Sequence, residues 1–400
     1  MSSKRLYFDL LRMGLCLCIV FRYFPMETDT DGVRFTHQCD YDTRELCPRC
    51  FPEPLDCDFF ANHIVIDGTN PLNLLNRYNK HGVTYALLDG IRQVVVKNLN
   101  QMGLVEELRA ALCEEHKIER SDCQLGDGEE FVLALRKRIL DKEAFGGSVI
   151  CPPEDERTLV RFVQQFTGPE LLKLVLMKTS VQPIMLEILA RMKFPVPKLI
   201  FQGGFTIVES YEGDSLAYFY DSPFRLRLEI ANQIINAIYR LTEGDSHFRF
   251  YLTDIQPDNI AVKMLPGGDV KVTFVDVDNV VILNSESNKL AADKGRHVHE
   301  RIDCEGCFAY VQQDLCSHKH SDLNMFAVCQ LLHENVNGNR EHGFLHSTGD
   351  HPEQKNLREL LTHCVYCKPA ECHNRYELLT QIQEIIFELQ YRYYQEELFK

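Results

Sequence analysis

Apolar and polar residues follow two rhythms along this 400-residue chain. The first is strand-like, in short runs rich in apolar and β-branched residues at His63-Ile64-Val65-Ile66, Val83 to Leu88 and Gln93-Val94-Val95-Val96-Lys97. With the Asp89-Gly90 turn between the last two runs, it predicts a β-hairpin and a neighbouring strand. A helical period appears within residues 102–176, for example over Leu104 to Cys113 and Glu156 to Phe166, and again over Ser180 to Met192, where Pro183 fits a first helical turn. Strands return at Val196 to Phe201 and Phe205 to Gly213, around a Gly203-Gly204 turn. Arg225 to Leu241 then carries Leu226, Leu228, Ile230, Ile234, Ile235 and Ile238 at the spacing of a core helix, and Leu357 to Phe399 is mostly amphipathic helix. The pattern is that of an α+β chain with strands gathered early and helices late.

Composition narrows the class. With 45% hydrophobic and 25% charged residues the chain is globular, long enough for one large core in two lobes or for two domains. A net charge of -15 without a lysine-rich block argues against a nucleic-acid backbone as partner. The 16 cysteines admit two readings. Cys47-x-x-Cys50, Cys304-x-x-Cys307 and Cys364-x-x-Cys367, with His373 after Cys372, have the spacing of zinc half-sites. Their irregular separations favour disulfides in an oxidising compartment instead. Lys4 and Arg5 precede the apolar stretch Leu6 to Phe24, whose core, Met13 to Phe21, is short for a membrane span and about the length of a signal-peptide h-region; no clear small-x-small cleavage site follows, which keeps an uncleaved signal anchor as the alternative. Residues 1–24 are therefore read as signal peptide or anchor, and 25–60 as an irregular, cysteine-stapled segment that braces the first lobe.

The most specific stretch is Tyr251-Leu252-Thr253-Asp254-Ile255-Gln256-Pro257-Asp258-Asn259-Ile260-Ala261-Val262, followed by Val272-Thr273-Phe274-Val275-Asp276. An Asp, four residues, an Asn, a short apolar run, a Gly-Gly turn and a second strand ending in Asp is the plan of a protein-kinase catalytic loop and metal segment. Phosphoryl transfer needs a carboxylate at the attacking hydroxyl and oxygen ligands for a divalent cation on the phosphates. Asp254 fits the first role, and Asn259 and Asp276 the second. Lys97, closing the Val94-Val95-Val96 strand, is placed to hold phosphates, with Glu187 as its helix partner. Glu209 and Tyr211, where the chain leaves its first sheet, would offer backbone groups to an adenine. Asp322 opens a later helix and would hold the catalytic loop by its backbone, or simply cap the helix. Each residue also has an ordinary reading: an Asx-rich turn, a solvated lysine, a surface glutamate, a plain hairpin. Their arrival in kinase order sets coincidence aside. A Gly-rich phosphate cover is missing, since only Gly82 and Gly90 flank the hairpin, and Gly126-Asp127-Gly128-Glu129 lacks a calcium-loop ligand set.

Leu46-Cys47-Pro48-Arg49-Cys50-Phe51, Val94 to Lys97, Tyr251 to Val262, Val275-Asp276-Val277-Asp278-Asn279-Val280, and Cys316 with Phe326-Ala327-Val328-Cys329-Gln330 together carry a closer likeness. The chain resembles the divergent protein kinase domain family of the secretory pathway, in particular its deleted-in-autism branch. The resemblance implies a disulfide-stapled, two-lobed protein-kinase-like fold. Its small β-rich N-lobe would span residues 61–210, with a helical insertion near 102–176, and its mainly helical C-lobe 211–400. It also implies entry into the endoplasmic reticulum with a Golgi or secreted destination, ATP with Mg or Mn as cofactor, and a protein substrate or receptor as partner. Leu252-Thr253 stands where active kinases carry His-Arg, Gln256 where a lysine is usual, and Val277-Asp278 where Phe-Gly is usual. Three candidate functions result: a kinase moving the γ-phosphate of ATP to a protein hydroxyl, a pseudokinase used as secreted ligand or scaffold, and a zinc-dependent intracellular module.

Overall fold

The computed structural model describes residues 31–70, 73, 82–100, 103–118, 123–125, 129–140, 148–245, 247–290, 295–302, 309–335, 339, 342–346, 352–367 and 374–398. The apolar segment 6–24, the Gly126 loop, Cys304, Cys307, Cys372 and His373 lie outside them. Helix α1 (Asp31–Tyr41) opens the described chain and passes through a π-helical turn (Asp42–Leu46) and a 3-10 turn (Pro48–Cys50). Helix α2 (Phe59–His63) then leads into strand β1 (Ile64–Ile66). The expectation of an irregular segment over 25–60 is corrected here. Phe35 and Cys39, one turn apart, join the cluster around Phe60 while Tyr41 packs on the larger core, a set too few and too scattered to register as helical periodicity.

Two strands come next, β2 (Val83–Leu88) and β3 (Arg92–Asn98). After them come α3 (Leu104–Glu115), α4 (Glu129–Leu140), β4 (Val149–Cys151), α5 (Glu156–Val163), α6 (Glu170–Thr179) and α7 (Gln182–Arg191). Strands β5 (Leu199–Gly203) and β6 (Thr206–Ser210) complete an antiparallel five-stranded sheet in the order β1-β2-β3-β6-β5. Pleating sends alternate side chains to opposite faces. Val94 and Val96 of β3 and Val208 of β6 join Phe60, Cys39 and Cys57 on one face, which leaves Lys97 and Glu209 on the other.

Past β6 the chain forms β7 (Asp214–Ser215), α8 (Phe224–Glu243), β8 (Phe248–Leu252), β9 (Ile260–Met264), β10 (Val270–Phe274) and β11 (Val280–Asn284). These strands make the sheets β10-β9-β7 and β4-β11-β8, so residues 149–151 pair in parallel with β11. Helices α9 (Gln312–Leu315), α10 (Leu323–His333), α11 (Pro352–Tyr366) and α12 (Arg375–Leu398) close the described chain. No helix among the described residues is long and apolar enough to cross a membrane.

Disulfides join Cys39 to Cys57, Cys47 to Cys50, Cys113 to Cys123, Cys151 to Cys316 and Cys329 to Cys364. Cys367 is also disulfide-bonded. The zinc half-site reading fails for two of its three pairs: Cys47 and Cys50 are bonded to each other, and Cys364 is committed to Cys329 instead of pairing with Cys367 across a metal. The Cys151–Cys316 bond crosses 165 residues of sequence, pinning β4 to the turn after α9.

Between the first two disulfides, the buried Asp42 carboxylate accepts the Phe205 N–H at 3.0 Å and a Gln38 Nε2 proton at 2.7 Å. Burial drives its pKa from 3.8 up to about 7, against those two hydrogen bonds and with help from the Glu106 charge. The folded chain therefore holds this proton more tightly than the unfolded chain does. That contribution is fully present below the unfolded pKa and is lost as pH rises through about 7. Asp42→Asn is expected to flatten this part of the stability profile, and urea titrations between about pH 4 and about pH 8 measure it. A slope unchanged from wild type would assign the pH dependence elsewhere.

Candidate active site

Lys97 Nζ lies 3.2 Å from Glu209 Oε2 and donates to the carbonyl of Val275 at 2.6 Å. The pair is a diagonal cross-strand contact. In the β3–β6 register Lys97 faces Ile207 and Val95 faces Glu209, so the two long side chains sit two positions apart on one face. Burial disfavours the lysine's charge, but the carboxylates of Glu209, Asp276 and Asp278 outweigh it and raise its pKa. Lys97, its side chain 15% exposed, is thus largely enclosed beside the Asp276 segment.

Glu187 does not pair with Lys97. It is exposed on α7, whereas Gln182 on the same helix is 1% exposed and faces the site. Five residues at about 100° each turn the two side chains about 140° apart, so both cannot point inward. The adenine role expected of Glu209 backbone is also corrected. β6 is an inner strand, with Glu209 paired to Val95 on one side and Leu199 on the other, and its side chain is what enters the site. Tyr211 lies beyond the end of β6. Its hydroxyl donates to Asp214 at 2.7 Å, its ring packs edge-on to Tyr85 at 6.1 Å, and its carbonyl accepts from Lys263 at 3.4 Å. Burial, with the Asp214 carboxylate, pushes its phenol up. Gly213, at φ +112°, brings the chain against the Val262 carbonyl, where a Cβ would collide.

Asp254 follows β8, and a 3-10 turn over Pro257–Asn259 curls the chain back so that Asn259 reaches it. Asn259 Nδ2 donates to the Asp254 carbonyl at 3.0 Å and to its Oδ2 at 2.8 Å. Donating through nitrogen keeps the Asn259 carbonyl oxygen, the atom expected to face a metal, for another partner. The Asn259 backbone carbonyl accepts the Val275 N–H at 2.9 Å, clamping the loop to the Asp276 segment. Burial, with the nearby Asp276 charge, raises the Asp254 pKa against the Asn259 hydrogen bond.

The loop is held from below by a residue that sequence reasoning missed. Asn324 on α10 accepts the Leu252 N–H at 3.0 Å and donates to the Phe250 carbonyl at 2.8 Å. Asp322 does neither that nor a side-chain cap. It accepts the His299 N–H at 2.7 Å and pairs with the fully buried Arg375 at 2.6 Å, while Ser321 Oγ accepts the Leu323 N–H.

Asp278 stands where kinases usually carry a glycine. Its carboxylate accepts from Ser180 Oγ at 2.9 Å and from the Gln182 N–H at 2.6 Å. Burial and the Asp276 charge lift its pKa to about 7, opposed by Lys97 and these donors. Ser180 and Gln182 carry no motif; only the approach of α7 to the Asp276 segment selects them. Asn259 and Asp276 carry oxygen atoms of the kind that Mg²⁺ or Mn²⁺ prefers, and Lys97 carries a cation of the kind that suits phosphate.

A five-stranded antiparallel sheet holding a paired lysine over an Asp-x-x-x-x-Asn loop and a strand-end Asp defines a protein-kinase-like domain. Residues 174–366 match the family model for the protein-kinase domain of FAM69. Divergent protein kinase domain 2A of Xenopus tropicalis is 26% identical over 385 residues, covering 86% of each chain. The Homo sapiens protein of that name is 26% identical over 380 residues, again 86% of each. A solved structure, the Rv3197–erythromycin complex from Mycobacterium tuberculosis, covers 70% of this chain and 67% of its own at 14% identity and a TM-score of 0.27, too low to bear on the fold. The chain is thus similar to the divergent protein kinases, in its kinase-domain region by the family model and over most of its length by these relatives.

Proposed function

We propose that this is a two-lobed, secretory-pathway protein kinase that transfers the γ-phosphate of ATP to a protein hydroxyl. The observation that carries the reading is the buried Lys97–Glu209 pair beside the segment that bears Asp276. Bound ATP with Mg or Mn would supply the phosphoryl group and the Lewis acid, with Asp276 and the Asn259 carbonyl oxygen as the chain's ligands and Lys97 on phosphate. Asp254 takes the proton of the attacking hydroxyl at its carboxylate, which Asn259 holds in place by one oxygen. Burial makes that carboxylate a stronger base, provided it is ionised. The backbone at Tyr211, past the last strand of the sheet, is the place for a purine edge. The disulfides support folding in an oxidising compartment.

The test separates binding from chemistry. Saturating ATP with Mn²⁺ is expected to raise the melting temperature of the wild type, by the equivalent of about 2.7 kcal/mol at 100 times Kd. Asp276→Ala is expected to lose the rise. Asp254→Asn is expected to keep it while phosphoryl transfer falls about 10²–10⁴-fold. No shift in the wild type with either Mg²⁺ or Mn²⁺ would end the reading.

A second reading, a pseudokinase serving as a secreted ligand or scaffold, is favoured by Asp278. Its side chain ties the metal segment to α7 where active kinases keep a flexible glycine. Full biological activity of the Asp254→Asn, Asp276→Asn double variant would select it.

A further inference from the structure

Gln182 begins α7 and is almost wholly buried. Its Nε2 donates to Glu209 Oε1 at 2.9 Å and to the Val275 carbonyl at 3.1 Å, and its Oε1 accepts the Val277 N–H at 2.9 Å. Its own backbone N–H donates to Asp278 at 2.6 Å. One neutral side chain therefore joins the counter-ion of Lys97 to the backbone on both sides of Asp276. Both amide protons and the carbonyl oxygen are spent, so no apolar residue of the same size can replace it without stranding buried polar groups.

We propose that Gln182 is a positioning residue through which α7 sets where Asp276 stands relative to the Lys97–Glu209 pair. The proposal rests on the reading of this site as nucleotide- and metal-binding. It also assigns α7 a distinct part. The acidic partner of Lys97 is on β6, fixed diagonally across the sheet, so a shift of α7 leaves the lysine paired and moves the metal segment instead. Displacement of this helix would tune metal-dependent nucleotide binding and spare contacts made without metal.

Full-length wild type, Gln182→Leu and Gln182→Glu would be titrated with ATP in Mn²⁺ and with ATP in chelator. Gln182→Leu is expected to weaken metal-dependent binding at least about tenfold, with the metal-independent affinity changed less than about twofold. In Gln182→Glu the new carboxyl faces Glu209 on β6, Lys97 on β3, and Asp276 and Asp278 after β10. Protonated, it restores the glutamine's acceptor and one of its two donors. Its Kd relative to wild type at the same pH is therefore expected to improve from about pH 8 to about pH 5.5. This arm decides the matter if Gln182→Leu does not fold. Wild-type metal-dependent affinity in Gln182→Leu, or a Gln182→Glu ratio that does not move with pH, overturns the proposal and leaves the site reading standing. Absence of binding by the wild type removes both.

Discussion

Alanine at Glu209 is expected to lower stability by about 3–5 kcal/mol and to abolish metal-dependent nucleotide binding. The truncation leaves the Lys97 ammonium buried without its principal counter-charge and strips one acceptor from Gln182. Breaking a buried pair from one side is costlier than removing both partners, because the remaining charge keeps its desolvation penalty. A Lys97→Met, Glu209→Leu double variant is accordingly expected to be more stable than Glu209→Ala while binding no nucleotide. Urea denaturation, read beside nucleotide titration, separates the two effects. Glu187→Ala is the control, and should stay within about 0.5 kcal/mol of wild type, as exposed positions do. If Glu187→Ala and Glu209→Ala exchanged these outcomes, the lysine would be paired through α7 after all.

Arg375→Ala is expected to cost a similar amount, about 3–5 kcal/mol, for a reason remote from nucleotide. The guanidinium pairs with Asp322 at 2.6 Å, donates through Nε to the Cys364 carbonyl at 2.8 Å and lies 5.0 Å over the Phe326 ring. It binds the start of α12 to α10 and α11 at the base of the catalytic loop. Without it Asp322 stays buried, and burial already pushes that carboxyl up even with the arginine present. The penalty in Arg375→Ala should therefore shrink as pH falls and Asp322 takes up a proton. Arg375→Lys should not restore stability, since an ammonium cannot reproduce the arginine's planar fork of donors. A loss below about 1 kcal/mol in Arg375→Ala would show that the pair behaves like a surface ion pair.

The elements that were legible in the sequence are those with one strong period. α8 was readable to within two residues at either end because it buries one regular face, and Val83–Leu88 to the residue because its apolar run stops at the Asp89-Gly90 turn. Helix α1 escaped because its inward positions, among them Phe35, Cys39 and Tyr41, set no sustained period. In the site, the placement of Asp254, Asn259 and Asp276 was readable because it depends on spacing along one loop and the two strands after it. The partner of Lys97 was not, because a lysine's counter-ion is chosen by strand register and helix rotation, and neither leaves a periodic trace.

What the chain by itself determined is therefore the chemistry close in sequence: the acid and amide of one loop, the Asp of the next strand, a lysine closing an apolar strand, and cysteines suited to disulfides. What only the tertiary structure decided is who meets whom over long separations: Glu209 in place of Glu187, Asn324 in place of Asp322, and Gln182 bridging two strand ends with no motif to announce it. The physical reason is that local spacing is fixed by covalent geometry. A contact across a hundred residues is fixed by which faces pack together, and that depends on the whole core at once.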